Sequence, residues 1–171
     1  MAVRSALMKI AGHMLHPMLV VFPLGLLTTA VVFDVIGLVS HETMWHGLAF
    51  WMIAAGIVGG LLAAIPGTFD YLGLPRNTRA RSVGLYHGLG NVVVVVLFLA
   101  SWLWRRPDPL DPTTGAFVLS VVGILLALVT GWLGGELVER LGVGVDEGAN
   151  LNAPSSLSTS DARSKSRRRA A

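Results

Sequence analysis

The chain contains no cysteine among its 171 residues and carries little charge, with Asp, Glu, Lys and Arg together making up 13%. The missing cysteines exclude disulfides, thiolate metal sites, iron–sulfur ligation by this chain and a cysteine nucleophile. Soluble domains hold about 25% charged residues, so the low charge speaks against an ordinary soluble fold. Other signatures are missing too. There is no Ser–His–Asp pattern, no phosphate loop and no His-Glu-x-x-His motif, and an enzyme is not expected. Ala2 stands where N-myristoylation requires glycine, and prenylation has no cysteine to use. The ten-residue alternation of a transmembrane β-barrel is absent as well.

What the chain does have is apolar length: 53% of its residues are hydrophobic. Four runs reach the roughly 20 residues a bilayer demands, at about 15–39, 45–65, 83–104 and 116–138. Backbone groups in hydrocarbon must be satisfied internally, so each run reads as a helix. The expected fold is an all-α, four-helix transmembrane bundle over residues 1–145, followed by a disordered Ser/Arg-rich tail over 146–171.

Positive charge sets the expected topology. Arg4 and Lys9 precede the first run, Arg76, Arg79 and Arg81 lie between the second and third, and Arg140 follows the fourth. On the other side only Arg105 and Arg106 occur, in the longer loop. This predicts a multi-pass plasma-membrane protein with both termini cytoplasmic. Trp45, Trp51, Trp102 and Trp104 fall towards the outer ends, where indoles prefer to sit. The net charge of +3 is concentrated in Arg163, Lys165, Arg167, Arg168 and Arg169. Beside spanning segments, such a cluster points to anionic lipid rather than nucleic acid.

Small residues recur at four-residue spacing: Ala55, Gly59 and Ala63 in the second run, and Gly123, Ala127, Gly131 and Gly135 in the fourth, with Gly84 and Gly88 in the third. Such stripes allow close helix packing and are expected at the bundle centre, or in a homo-oligomer contact.

The ionisable residues gather by depth. His16, Asp70, His87 with Asn91, and Glu136 all fall on the predicted cytoplasmic side, near Arg76, Arg79 and Arg81. Buried ionisable groups are costly in a membrane and mark candidate sites. His87 and Asn91 share a helix face at four-residue spacing, as do Trp132 and Glu136. Each also has a structural role open to it: His16 as a helix-end cap, Asp70 paired with Arg76 or Arg79, Glu136 paired with Arg140, and His87 bonded to an Asn or a carbonyl. His13 and His16, three apart, form a weaker chelating pair. On the outer side, Asp34 and His46 can meet across the first hairpin, with His41 in the loop between.

Several stretches carry a resemblance: His16-Pro17-Met18-Leu19-Val20-Val21-Phe22-Pro23, Gly67-Thr68-Phe69-Asp70-Tyr71 with Arg76 and Arg81, His87-Gly88-Leu89-Gly90-Asn91, and Gly131-Trp132-Leu133-Gly134-Gly135-Glu136-Leu137-Val138. Together they resemble the DUF2231 family of predicted bacterial membrane proteins, over roughly Leu15 to Val145. The resemblance brings no established activity. Some members are joined to, or sit near, Rieske-type iron–sulfur domains, which implies electron transfer and a redox partner protein. Leu141 stands where relatives carry a histidine, leaving one fewer candidate ligand near Glu136.

Three functional classes follow. The first is a non-enzymatic membrane scaffold or accessory subunit. The second is haem-b binding for electron transfer, with His16 and His87 as axial ligands and Asn91, Trp132 and Arg76 shaping the pocket. The third is a proton or metal-ion pathway through His16, Asp70, His87 and Glu136, which the almost wholly apolar mid-section opposes.

Overall fold

The structure is a computed structural model that describes residues 8–158. Arg4 and the basic cluster from Arg163 to Arg169 lie outside the described residues. The elements, in order, are a short hairpin, β1 (Lys9–Ile10) and β2 (His13–Met14), then helices α1 (Leu15–Leu19), α2 (Val21–Ser40), α3 (Met44–Leu72), α4 (Arg79–Arg105) and α5 (Thr114–Gly135). A π-helical turn, Glu136–Arg140, extends α5. Four spans result, Leu15–Ser40, Met44–Leu72, Arg79–Arg105 and Thr114–Arg140, each long and apolar enough to cross a membrane.

Local chemistry explains the boundaries. Pro23 has no N–H to give the carbonyl of Leu19 four residues back, and the first span breaks at Val20 between α1 and α2. Pro66 sits inside α3 without ending it, as prolines do where neighbouring helices satisfy the freed groups. The second helix therefore runs past the expected stop near residue 65 to Leu72. The third starts at Arg79 rather than near 83, because a hydroxyl at the preceding position caps it. The Thr78 Oγ1 accepts from the Arg81 N–H at 3.3 Å. Thr113 caps α5 in the same way, its Oγ1 accepting from the Ala116 N–H at 3.3 Å.

The helices pack as two hairpins, α2 against α3 and α4 against α5, joined chiefly along α3 and α4. The shared core holds Leu27, Ala30, Ala49, Ile53, Ile57, Val94, Phe98 and Ala127. Large apolar side chains such as Val39, Trp51 and Leu128 face outward, as a lipid-facing surface requires. The expected central stripe is only partly realised. Gly123 packs on the Phe98 ring and Ala127 is in the core, but Gly88, Gly131 and Gly135 open onto space. Lipid solvates an apolar face as well as a neighbouring helix does, so small size alone does not dictate facing inward.

Both ends of the described chain, residues 8–14 and 141–158, and the 73–78 loop lie at one end of the bundle, called here the termini end. There the β1–β2 hairpin turns through Ala11 and Gly12, both at positive φ (51° and 87°). Residues 146–158 run as turns against it, through a 2.9 Å Lys9–Asp146 ion pair and a 2.9 Å bond from Ser156 Oγ to the Ala11 carbonyl.

Candidate functional site

Polar side chains concentrate in two layers, one at each end of the bundle. At the termini end His16, in α1, places its Nδ1 2.8 Å from the Ala63 carbonyl of α3. That carbonyl lies in the turn which Pro66 loosens by withholding its N–H. One turn on, Gly67 makes room, since a Cβ there would stand 2.8 Å from His16 Nδ1. His87 of α4 repeats the arrangement, its Nδ1 2.8 Å from the Thr130 carbonyl of α5. Gly134 supplies the space in this case, a Cβ there falling 3.1 Å from His87 Cε1.

A carbonyl only accepts, so both imidazoles carry a proton on Nδ1, and the His87 Nε2 has the Asn91 Nδ2 3.4 Å away. The two rings stand perpendicular with centroids 6.2 Å apart. Asn91 locks the layer. Its Nδ2 donates to the His87 carbonyl at 2.8 Å, and its Oδ1 lies 3.1 Å from the Thr130 hydroxyl.

The other expected members are placed differently. Asp70 lies within α3 rather than beyond it and is buried. Its Oδ1 accepts from the Met8 N–H at 3.1 Å, not from Arg76 or Arg79, and Oδ2 has no hydrogen-bond partner among the described residues. Glu136 pairs with Arg79 at 2.6 Å, not with Arg140; the earlier start of α4 brings Arg79 onto its first turn, facing the end of α5. Arg81 donates to the Leu74 carbonyl at 2.8 Å and stacks on Tyr71. Arg76 is exposed on the loop. Trp132 is 67% exposed and faces away from the layer. His16 is no cap, being inside α1 with Met14 at the cap position. His13 does not join it, its Nε2 instead lying 3.4 Å from Ser156 Oγ.

The far-end layer is sealed. His46 Nδ1–H donates to Asp34 Oδ1 at 3.0 Å, the expected meeting across the first hairpin. Arg105, read from sequence as a loop residue, is instead 1% exposed and grips Asp34. Its Nη1 donates to Oδ1 at 2.8 Å, while Nη2 lies 2.8 Å from Oδ2, at ion-pair distance but off the line of a hydrogen bond. Nε donates to Ser101 Oγ and Nη2 to Ser120 Oγ, both at 3.1 Å, and the two hydroxyls lie 2.8 Å apart. Every span contributes a side chain. Tandem arginines before Pro107 suggest a loop, and single serines in apolar runs carry no signal, so sequence reasoning missed this layer apart from the Asp34–His46 pair.

Between the layers the buried core is apolar, with side chains such as Val94, Phe98 and Ile53, and the exposed Thr28 returns its hydroxyl to the Leu24 carbonyl. No group of three or more His, Asp or Glu side chains gathers as a metal site among the described residues.

A family profile described as a predicted membrane protein, DUF2231, matches residues 12–147. The chain belongs to the DUF2231 family. The matched span takes in both polar layers and all four membrane helices of this DUF2231 protein. No match was found among curated proteins or among solved structures.

Proposed function

We propose that this DUF2231 protein binds a haem-b group at its termini end, with His16 and His87 as axial ligands, and passes single electrons at that membrane face. The supporting observation is the histidine pair. Imidazole nitrogens are common protein ligands of haem iron, and two histidines that would share one metal must be neighbours. Here their ring centroids are 6.2 Å apart. Both Nδ1–H groups donate to carbonyls, the outer-shell bond that orients a metal-ligating histidine and raises its basicity. Four-helix bundles hold cofactors between facing helices, and these ligands come from different hairpins.

The surroundings suit a flat group. Gly88, Gly131 and Gly135, beside the residues that hold His87, have nothing within 4 Å of where a side chain would begin. His16 and His87 would bind the iron, which supplies one-electron chemistry when present. Asn91 and Thr130 keep the His87 ring from turning, and Arg76 and Arg79 give the mouth positive charge. The arginine distribution supports a plasma-membrane setting with this end cytoplasmic, near anionic lipid and a soluble or membrane redox partner.

The test is a visible spectrum of the detergent-purified protein from cells supplied with haem precursor, oxidised and then dithionite-reduced. A Soret band with sharpened reduced α and β bands is expected, lost in His87→Ala and in His16→Ala while helical content is retained. A band that survives both substitutions sinks the ligand assignment. The second reading, a scaffold or accessory subunit, is favoured by the sealed far-end network that ties all four spans together; a spectrum with only aromatic absorbance supports it.

A further inference from the structure

At the far end a cleft of about 80 Å³ opens beside the sealed network, lined by Asp34, Leu38, His46, Pro112, Thr114 and Phe117. Its chemistry is specific. His46 is 8% exposed and has given its Nδ1–H to Asp34. In the neutral ring Nε2 is then the acceptor, and no hydrogen bond to it is made by the described residues. The charge of Asp34 is offset by Arg105 in a two-pronged contact. With His46 neutral the cluster carries no net charge, which disfavours a free cation or anion as ligand.

What remains is a largely apolar cleft in which Leu38, Pro112, Thr114 and Phe117 share the lining with a histidine whose Nδ1 is already taken by Asp34. Small-molecule sites have this make-up, an apolar lining with a few placed polar groups that fix orientation. Leu38 is in the last turn of α2 and Thr114 opens α5, so the mouth lies where these spans end. A ligand with an apolar body can reach it from the lipid.

We propose that this cleft binds a lipid-soluble molecule bearing a phenolic hydroxyl, which donates its hydrogen bond to His46 Nε2. The volume is below the roughly 150 Å³ of a cavity that encloses benzene. The cleft therefore takes the hydroxyl-bearing edge of the ring, and the rest of the ring lies between Leu38 and Phe117. Asp34 acts through His46 by holding its tautomer, as a buried carboxylate does for an imidazole base. This site does not depend on the histidine pair at the other end.

The test is binding of radiolabelled 4-hexylphenol, and of its methyl ether 4-hexylanisole, to the full chain in nanodiscs, with partition into empty nanodiscs subtracted. The expected result is saturable binding of one phenol per chain, at least tenfold tighter than the ether, which has no hydroxyl to donate. Thr114→Phe fills the cleft without touching the ion pair and abolishes binding; if it fails to fold, Leu38→Trp blocks the mouth instead. His46→Gln, which keeps a donor for Asp34, lowers phenol affinity to that of the ether. Equal affinity of phenol and ether for the unaltered protein overturns the proposal. So does undiminished binding after Thr114→Phe, or binding that never saturates, which would leave the cleft to water alone.

Discussion

The two polar layers solve the same problem, polar groups at membrane depth, in opposite ways. At the far end Asp34, Ser101 and Ser120 are fully buried and Arg105 nearly so, and they spend most of their hydrogen-bonding capacity on one another. At the termini end His16 and His87 each hold a backbone carbonyl through Nδ1, and the His87 Nε2 has the Asn91 Nδ2 at 3.4 Å. The first arrangement joins four spans. The second ties two histidines to backbone carbonyls of neighbouring helices and brings their ring centroids within 6.2 Å of each other.

The largest expected effect comes from breaking the sealed layer. Arg105→Leu leaves Asp34 as an uncompensated buried charge and costs about 3–5 kcal/mol, measured as loss of unfolding free energy in detergent. Replacing both residues, Arg105→Leu with Asp34→Leu, recovers most of that loss, because the penalty lies in the orphaned charge. A single variant as stable as the parent would remove the network from the list of forces holding the bundle.

Next come the glycines under the histidines. Gly67→Leu and Gly134→Leu force atoms into the imidazoles and cost about 1–3 kcal/mol as overpacking. Both also abolish any Soret band. Gly88→Ala, with open space beside it, sharpens the comparison: it raises stability by about 0.5–1 kcal/mol, the helix-interior gain over glycine, and leaves a spectrum unchanged. The smallest effect belongs to the Arg79–Glu136 pair. Arg79 is 60% exposed, so Arg79→Ala shifts stability by less than about 1 kcal/mol, and less again at high salt.

The four spans were legible because lipid imposes a length and an apolar composition on any helix that crosses it. The Asp34–His46 meeting was legible from their placement on either side of a short loop. The partners of His16 and His87 were not, since a backbone carbonyl leaves no trace in the sequence; Pro66, three residues after Ala63, was the one available hint. Arg105 was misread because its charge suggested solvent, while its burial depends on Asp34, 71 residues away in the chain. Trp132 shares a helix with the Thr130 carbonyl but points outward, and only the rotation of α5 decides which of them meets His87.

The apolar mid-section has an electrical consequence. Asn91 and Ser101 both lie on α4, ten residues apart, a separation of roughly 15 Å along a helix that rises about 1.5 Å per residue. No polar side chain of the described core bridges that gap. The molecule is thus built like a capacitor, with a polar plate towards each end of the spans and an insulator between. Moving a unit charge across a whole membrane is worth about 2.3 kcal/mol per 100 mV. A charge added at one plate from its own side crosses little of that field, so each end can change its charge while remaining nearly blind to the membrane voltage.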